Sequence, residues 1–256
     1  STGIRRKILM FTDWLTCACA THIIPEGKGV MDDLQAHITR KPMRVLGYGN
    51  VRGVDMKYWR RENADTEKFR QIKDNNRFTF LFVGRIVKDK GINELVEAFM
   101  HIYRNFKVRL FLVGQFEDKL DPIADSTRKI IEECDGLVCP GPQYGTDLLA
   151  YYAASDCFVF PSYREGFPNT VLEAGAMELP SIVTDINGSR EIIENGKNGL
   201  IIPSKNADAL ADAMMQMIEN NEMRERMAEE ARPMIESCFE QGFVRKCMMD
   251  FYDSIL

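Results

Sequence analysis

"DCFVFPSYREGFPNTVLEAG", residues 156–175, decides the fold. An unbroken apolar run ends at Phe160, a short loop follows, and a helical pattern opens near Pro168. Apolar runs that do not alternate suit strands buried on both faces. The same strand–helix unit recurs outward in both directions. "FTFLFVG" (78–84) precedes "INELVEAFMHIY", in which Leu95, Phe99 and Ile102 fall at helical spacing. "VRLFLVG" (108–114) precedes "PIADSTRKIIEEC", and "GLVCPG" precedes "GTDLLAYYAAS". Beyond the central stretch come the strand "PSIVT", the short helix "SREIIEN" and the last strand "GLIIP". Buried strands alternating with helices predict an α/β fold: a Rossmann-like, doubly wound parallel sheet.

Three regions follow. Residues 76–205 carry the sheet. Residues 206–256 read as helices only, with Asn206 as a cap and Pro233 expected to break or kink a later helix. Met214, Met215, Met217, Met223 and Met227 sit at helical spacing and read as core. Residues 1–75 offer too little for a core of their own and read as the end of a preceding domain plus a linker. There, "CACATHIIP" and "MRVLGYG" are expected as strands, "GVMDDLQAHIT" as a helix, and the charged "YWRRENADTEKFRQIKDNN" as linker or surface.

Ligands of such sheets bind beyond the carboxyl ends of the strands. Arg85 and Lys90 follow the first strand, and "QFED" follows the second. After the fourth, Pro168 is expected as the first helical residue. Free N–H groups near Asn169 and Thr170 then favour a phosphate. Gly166 allows close approach to the backbone. Glu165 and Glu173 would repel a bare phosphate but suit hydroxyls on either side of a diphosphate, with Glu165 toward a sugar and Glu173 toward a ribose. The candidate ligand is a nucleotide sugar. Two glutamates eight apart also arise by chance, and Arg85 and Lys90 alone are more often solvated surface charges than ligands; their combination at strand ends of one sheet carries the reading.

"FLFVGRIVKDKGINELVEAF", "ASDCFVFPSYREGFPNTVLEAGAMELPSIVTDINGSREIIENGKNGLIIP" and "GNVRGVD" resemble the family 4 glycosyltransferases, retaining enzymes of the two-domain GT-B architecture. The resemblance runs from about residue 17 to the C-terminus. It implies that Arg85 and Lys90 bind the donor diphosphate and stabilise it as it leaves. It implies that the backbone from Gly166 through Phe167, Pro168 and Asn169 to Thr170, with Gly84, lies against the donor. It further implies that Glu165 holds sugar hydroxyls and that Glu173 binds the ribose. The base is expected near Gly141–Tyr144, where Tyr144 is a candidate stacking side chain against the plainer reading of a surface tyrosine. The implied donor is a UDP- or GDP-sugar, and the implied acceptor a glycan or lipid-linked glycan, as in polysaccharide biosynthesis. No Asp-x-Asp motif occurs, which fits metal-independent chemistry with no cofactor. A full member has an N-terminal Rossmann domain of about 150–200 residues. This chain shows only its last elements, so transfer by the chain alone is expected to be poor. His22, His37 and His101 match no family motif.

Two alternatives share that architecture: a non-catalytic nucleotide-sugar-binding chain and a nucleotide-sugar epimerase. A dinucleotide-dependent oxidoreductase rests on Gly47, Gly49 and Gly53, whose spacing departs from the usual fingerprint. The net charge of −5 argues against a broad nucleic-acid surface. No apolar run approaches the ~20 residues of a membrane span. The odd count of seven cysteines, several in apolar runs, suits reduced thiols and a cytoplasmic setting. Peripheral contact with the inner membrane face would come through the absent domain. Cys17 and Cys19 lack the second pair that zinc spacing requires, so no metal site is assigned.

Overall fold

The computed structural model describes residues 3–119 and 121–256. In chain order it has α1 (Gly3–Cys19), α2 (Lys28–His37), α3 (Thr66–Ile72), β1 (Phe78–Val83), α4 (Ile92–Tyr103), β2 (Val108–Val113), α5 (Asp125–Glu133), β3 (Leu137–Gly141) and α6 (Gly145–Ala154). There follow β4 (Cys157–Phe160), α7 (Asn169–Ala176), β5 (Ser181–Thr184), α8 (Ser189–Ile192), β6 (Gly199–Ile202), α9 (Ala207–Glu219), α10 (Asn221–Phe239) and α11 (Gln241–Asp253).

Every strand pair is parallel, in the order β3-β2-β1-β4-β5-β6. β4 and β5 are buried at every position, which is why their sequences do not alternate. Leu95, Phe99 and Ile102 on α4 are fully buried. Helix α4 packs with α5 and α9, whereas α6 packs with α3 and α7 with α10. The chain reverses direction across the sheet between β1 and β4, and ligands of open α/β sheets bind at such a reversal. Both loops carrying the expected site residues leave the sheet there.

The C-terminal helices follow the sequence closely. Asn206 caps α9 by accepting from the Ala209 N–H at 2.9 Å. Met214, Met217 and Met227 are fully buried, and Met215 and Met223 pack against the same core. Helix α10 runs on through Pro233 rather than ending there.

In the first 75 residues "GVMDDLQAHIT" forms α2 as expected, but the rest differs from expectation. Neither "CACATHIIP" nor "MRVLGYG" forms a strand: α1 takes up Cys17–Cys19, and a single backbone bond, Arg44 N to Ile23 O at 3.2 Å, joins the two segments. One bond makes no ladder: among the described residues the two segments share only that backbone bond, and a strand needs a partner along several residues. The charged segment is not a bare linker either. Asp65 caps α3 through the Lys68 N–H at 2.7 Å, and Phe69 and Ile72 turn inward onto the core. Arg61 donates to the carbonyls of Met177 and Ala153. The segment's polar residues face water while a few apolar ones anchor it. Farther upstream, Val54 bonds to Phe239 and Gln241, which seats the chain between α10 and α11.

One glycine fixes the loop after β1. Gly91 has φ 70° and links the short 3₁₀ turn Lys88–Lys90 to α4. A Cβ there would lie 2.1 Å from the Pro161 carbonyl oxygen. Gly91→Ala is therefore expected to cost about 2–4 kcal/mol, combining left-handed strain with a backbone clash. Equilibrium urea unfolding measures it; a loss below ~1 kcal/mol would contradict the close packing of these loops.

Candidate functional site

The loops after β1 and β4 are laced together. Asp89 accepts from Arg164 Nε at 2.9 Å, and its carbonyl accepts from the Tyr163 N–H at 2.8 Å. Lys90, at the end of the 3₁₀ turn, ion-pairs with Glu165. Both side chains are only 16% exposed. Glu165 also accepts from Ser162 Oγ at 2.6 Å, and Lys90 Nζ lies 5.2 Å from the centre of the Phe160 ring. Arg85 is more open, at 58% exposure, and pairs with Glu117 at 2.9 Å. Glu117 belongs to "QFED", so the loop after β2 joins the same edge.

Arg85, Asp89, Lys90, Arg164, Glu165 and Gly166 line one cavity of about 350 Å³. Both expected cations, with Arg164 as a third, therefore line the same cavity as Gly166. A second cavity, of about 380 Å³, adjoins the first turn of α7. Asn169, Glu173 and Tyr144 line it, together with Arg52, Asp55, Tyr58, Trp59 and Gln241. The stretch Gly166–Asn169 thus borders a cavity at each end.

Pro168 precedes the helix as its cap residue rather than forming its first turn. The shift of one residue leaves the consequence unchanged. The first backbone bond runs from the Val171 N–H to the Pro168 carbonyl at 3.1 Å, so the N–H groups of Asn169 and Thr170 precede it. Such N–H groups and the helix dipole attract anions.

Glu173 lies one turn into α7 and accepts from the fully buried Tyr152 hydroxyl at 3.2 Å. Burial pushes its carboxyl up to about 7, against opposing pulls from the Tyr152 hydrogen bond and the Arg52 charge. Its own burial, and then the pairing with Glu173, push the Tyr152 hydroxyl upward. A carboxyl poised near neutrality inside a cavity is a common mark of a working site.

Other expected residues sit elsewhere. The Phe167 ring is buried against Phe239, at 5.5 Å between centroids, and against Gly49, which leaves only its backbone toward a ligand. Gly84, Pro168 and Thr170 line neither cavity. Gly84 closes β1 where Gly114 passes close to its carbonyl. Tyr144 is 77% exposed at the mouth of the second cavity. Gly47, Gly49 and Gly53 lie outside any strand–turn–helix unit, so the dinucleotide fingerprint lacks its context. Cys17 is buried and Cys19 exposed, and all seven cysteines are free.

Arg52, Asp55, Tyr58, Trp59 and Gln241 line the second cavity without any expected role from the sequence. Their wall is held by Arg232 of α10, which donates to the carbonyls of Met56 and Trp59 at 2.7 Å. The segment "GNVRGVD" was the one local hint.

A family profile described as glycosyl transferases group 1 matches residues 63–234. The chain belongs to this family. It is 28% identical to a capsular polysaccharide biosynthesis glycosyltransferase, CapM, of Staphylococcus aureus, over 99% of this chain and 67% of that protein. It is 28% identical to an alpha-monoglucosyldiacylglycerol synthase of Acholeplasma laidlawii, over 79% of this chain and 52% of that protein. Among solved structures, sucrose-phosphate synthase from Thermosynechococcus elongatus superposes with a TM-score of 0.83 at 21% identity, covering 97% of this chain and 62% of that one. Anabaena HepE in complex with UDP-glucose superposes with a TM-score of 0.80 at 18% identity, covering 92% and 64%. The fold is the C-terminal half of the GT-B arrangement. The chain spans between about half and two thirds of these proteins' lengths. No described helix is long and apolar enough to cross a membrane.

Proposed function

We propose that this chain carries the donor half of a retaining glycosyltransferase that takes a nucleoside diphosphate sugar. One observation carries the reading: the tip of α7 separates a cavity holding Arg85, Lys90 and Glu165 from one holding Glu173 and Tyr144. A diphosphate across the tip would place its sugar in the first cavity and its nucleoside in the second. The ribose diol would donate to Glu173, and the base would lie toward Tyr144 and Tyr58. Sugar hydroxyls would meet Glu165, whose carboxylate Lys90 and Ser162 already hold in place.

The chemistry follows from charge. Breaking the sugar–phosphate bond leaves negative charge on the diphosphate and positive charge at the anomeric carbon. Lys90, Arg85 and the α7 N–H groups oppose the first. The reading therefore assigns no metal and no cofactor. An acceptor hydroxyl approaching from the face the diphosphate leaves would retain configuration. That acceptor, a glycan or lipid-linked glycan, would be met largely by an N-terminal domain resembling those of the longer relatives. Peripheral membrane contact and a cytoplasmic setting remain part of this proposal.

A thermal-shift panel tests the site. At a hundred times its dissociation constant, UDP or GDP should stabilise the chain by about 2.7 kcal/mol, raising Tm by roughly 5–10 °C, while CMP and NAD give little. Equal and negligible shifts from every nucleotide would remove the reading. Release of a free sugar-nucleotide isomer without acceptor would favour the epimerase alternative instead.

A further inference from the structure

Asn50 lies outside the sheet region, is 4% exposed, and has φ 57°. Asparagine tolerates this left-handed conformation better than most residues. Its Oδ1 accepts from the backbone N–H groups of Arg52 at 3.0 Å and Gly53 at 2.7 Å. Only an oxygen can take those two donors, so the amide orientation is fixed. Its Nδ2 must then face away, and it donates to Asn169 Oδ1 at 2.9 Å. That bond fixes the second amide in turn. The oxygen of Asn169 is held by Asn50, so its NH2 end is the one left for the cavity that Asn169 lines.

We infer that Asn50 is a positioning residue for donor binding. Through Asn169 it sets a side-chain N–H donor beside the free backbone N–H groups of α7, where the diphosphate of the proposed donor would lie. The turn around Asn50 needs only the oxygen; the Nδ2 bond serves Asn169 alone. The inference rests on the nucleotide-sugar reading of the site. It extends that reading to a residue from the segment preceding the sheet, 119 positions from its partner.

The test is a set of variants of the full chain, titrated calorimetrically with UDP or GDP, whichever the wild type binds more tightly, and with the matching nucleoside. Asn50→Asp keeps the turn acceptor and tolerates the backbone, but cannot donate. Asn169 then turns its NH2 toward the introduced carboxylate and its oxygen toward the anion. A tenfold or greater loss of nucleoside diphosphate affinity is expected, with nucleoside affinity within twofold of wild type. Asn169→Ala should lose a comparable amount, and the double variant should bind no more weakly than Asn169→Ala alone. Unchanged affinity in Asn50→Asp would overturn the inference. So would a further loss on adding Asn50→Asp to Asn169→Ala, because the new charge would then be acting directly. If Asn50→Asp does not fold, Asn50→Gly decides: glycine suits the φ of 57° and frees the Asn169 amide without adding a charge, so it should show the same phosphate-selective loss, and unchanged affinity would overturn the inference. A wild-type chain that binds neither nucleotide would defeat the site reading first, and the inference with it.

Discussion

Lys90→Met should weaken UDP binding about a hundredfold, the larger of the two losses expected from the cations. Lys90 is 16% exposed, lies against the Phe160 ring and reaches the cavity from a turn locked by Gly91. An ammonium carries three donors, so it can keep Glu165 and still take a phosphate oxygen. Charge-assisted bonds contribute about 1.5–3 kcal/mol, a factor of ten to over a hundred. Removing the cation also leaves Glu165 facing the anion unopposed. Adding Glu165→Gln to Lys90→Met should therefore restore part of the affinity, although the neutral amide would serve the sugar poorly. Arg85→Ala should cost only about threefold, since its guanidinium is 58% exposed and paired at the surface. Titration with UDP and uridine separates the effects: uridine affinity should not respond to Lys90. If Arg85→Ala proves the more damaging, the diphosphate does not lie over Lys90. In an enzyme completed by its N-terminal half, the same substitution of Lys90 should lower kcat by about 10²–10³.

That Lys90 and Glu165 meet was legible only in part. Each sits in a local pattern, an apolar strand followed by a loop and a helix, and such patterns reveal strand ends. Their meeting depends on β1 lying beside β4, and no local stretch encodes strand order. The pair is 75 positions apart, brought together by the reversal at the centre of the sheet. Tyr58 and Trp59 were illegible for a related reason. Their run is polar and charged, so it reads as solvated, yet Arg232 and Val54 dock it against α10 and α11. The opposite error befell "THIIP" and "MRVLG". Their apolar composition suits strands, but pairing requires a run of bonds, and among the described residues the two segments share only one. The helices of residues 206–256 were readable apart from the passage of α10 through Pro233, because a cap at Asn206 and methionines at helical spacing are local signals that burial respects.

Glu173 should make both stability and donor binding depend on pH near neutrality, in opposite directions. Burial raises its folded-state pKa from 4.5 to about 7. Between those values the folded chain holds a proton that the unfolded chain has released, so stability falls as pH rises. The full loss, reached above about pH 7.5, is on the order of 3 kcal/mol. Glu173→Gln removes the ionisation, so its Tm relative to wild type should climb from about pH 5 to about pH 8 and then level off. Binding runs the other way. A ribose diol donates best to the ionised carboxylate, so the ligand favours the deprotonated form and expels the proton. UDP-glucose or GDP-mannose suits the test, since a diphosphate diester has no group titrating in this range. Affinity should rise about tenfold from about pH 5.5 to about pH 8 in wild type, with proton release visible in buffers of different ionisation enthalpy. In Glu173→Gln the affinity should be lower and flat. Arg52→Ala should move the midpoint to higher pH, because the Arg52 charge now holds the carboxyl down. A wild-type profile as flat as that of Glu173→Gln would mean that the ribose does not lie on Glu173, and the nucleoside half of the site would have to be sought elsewhere.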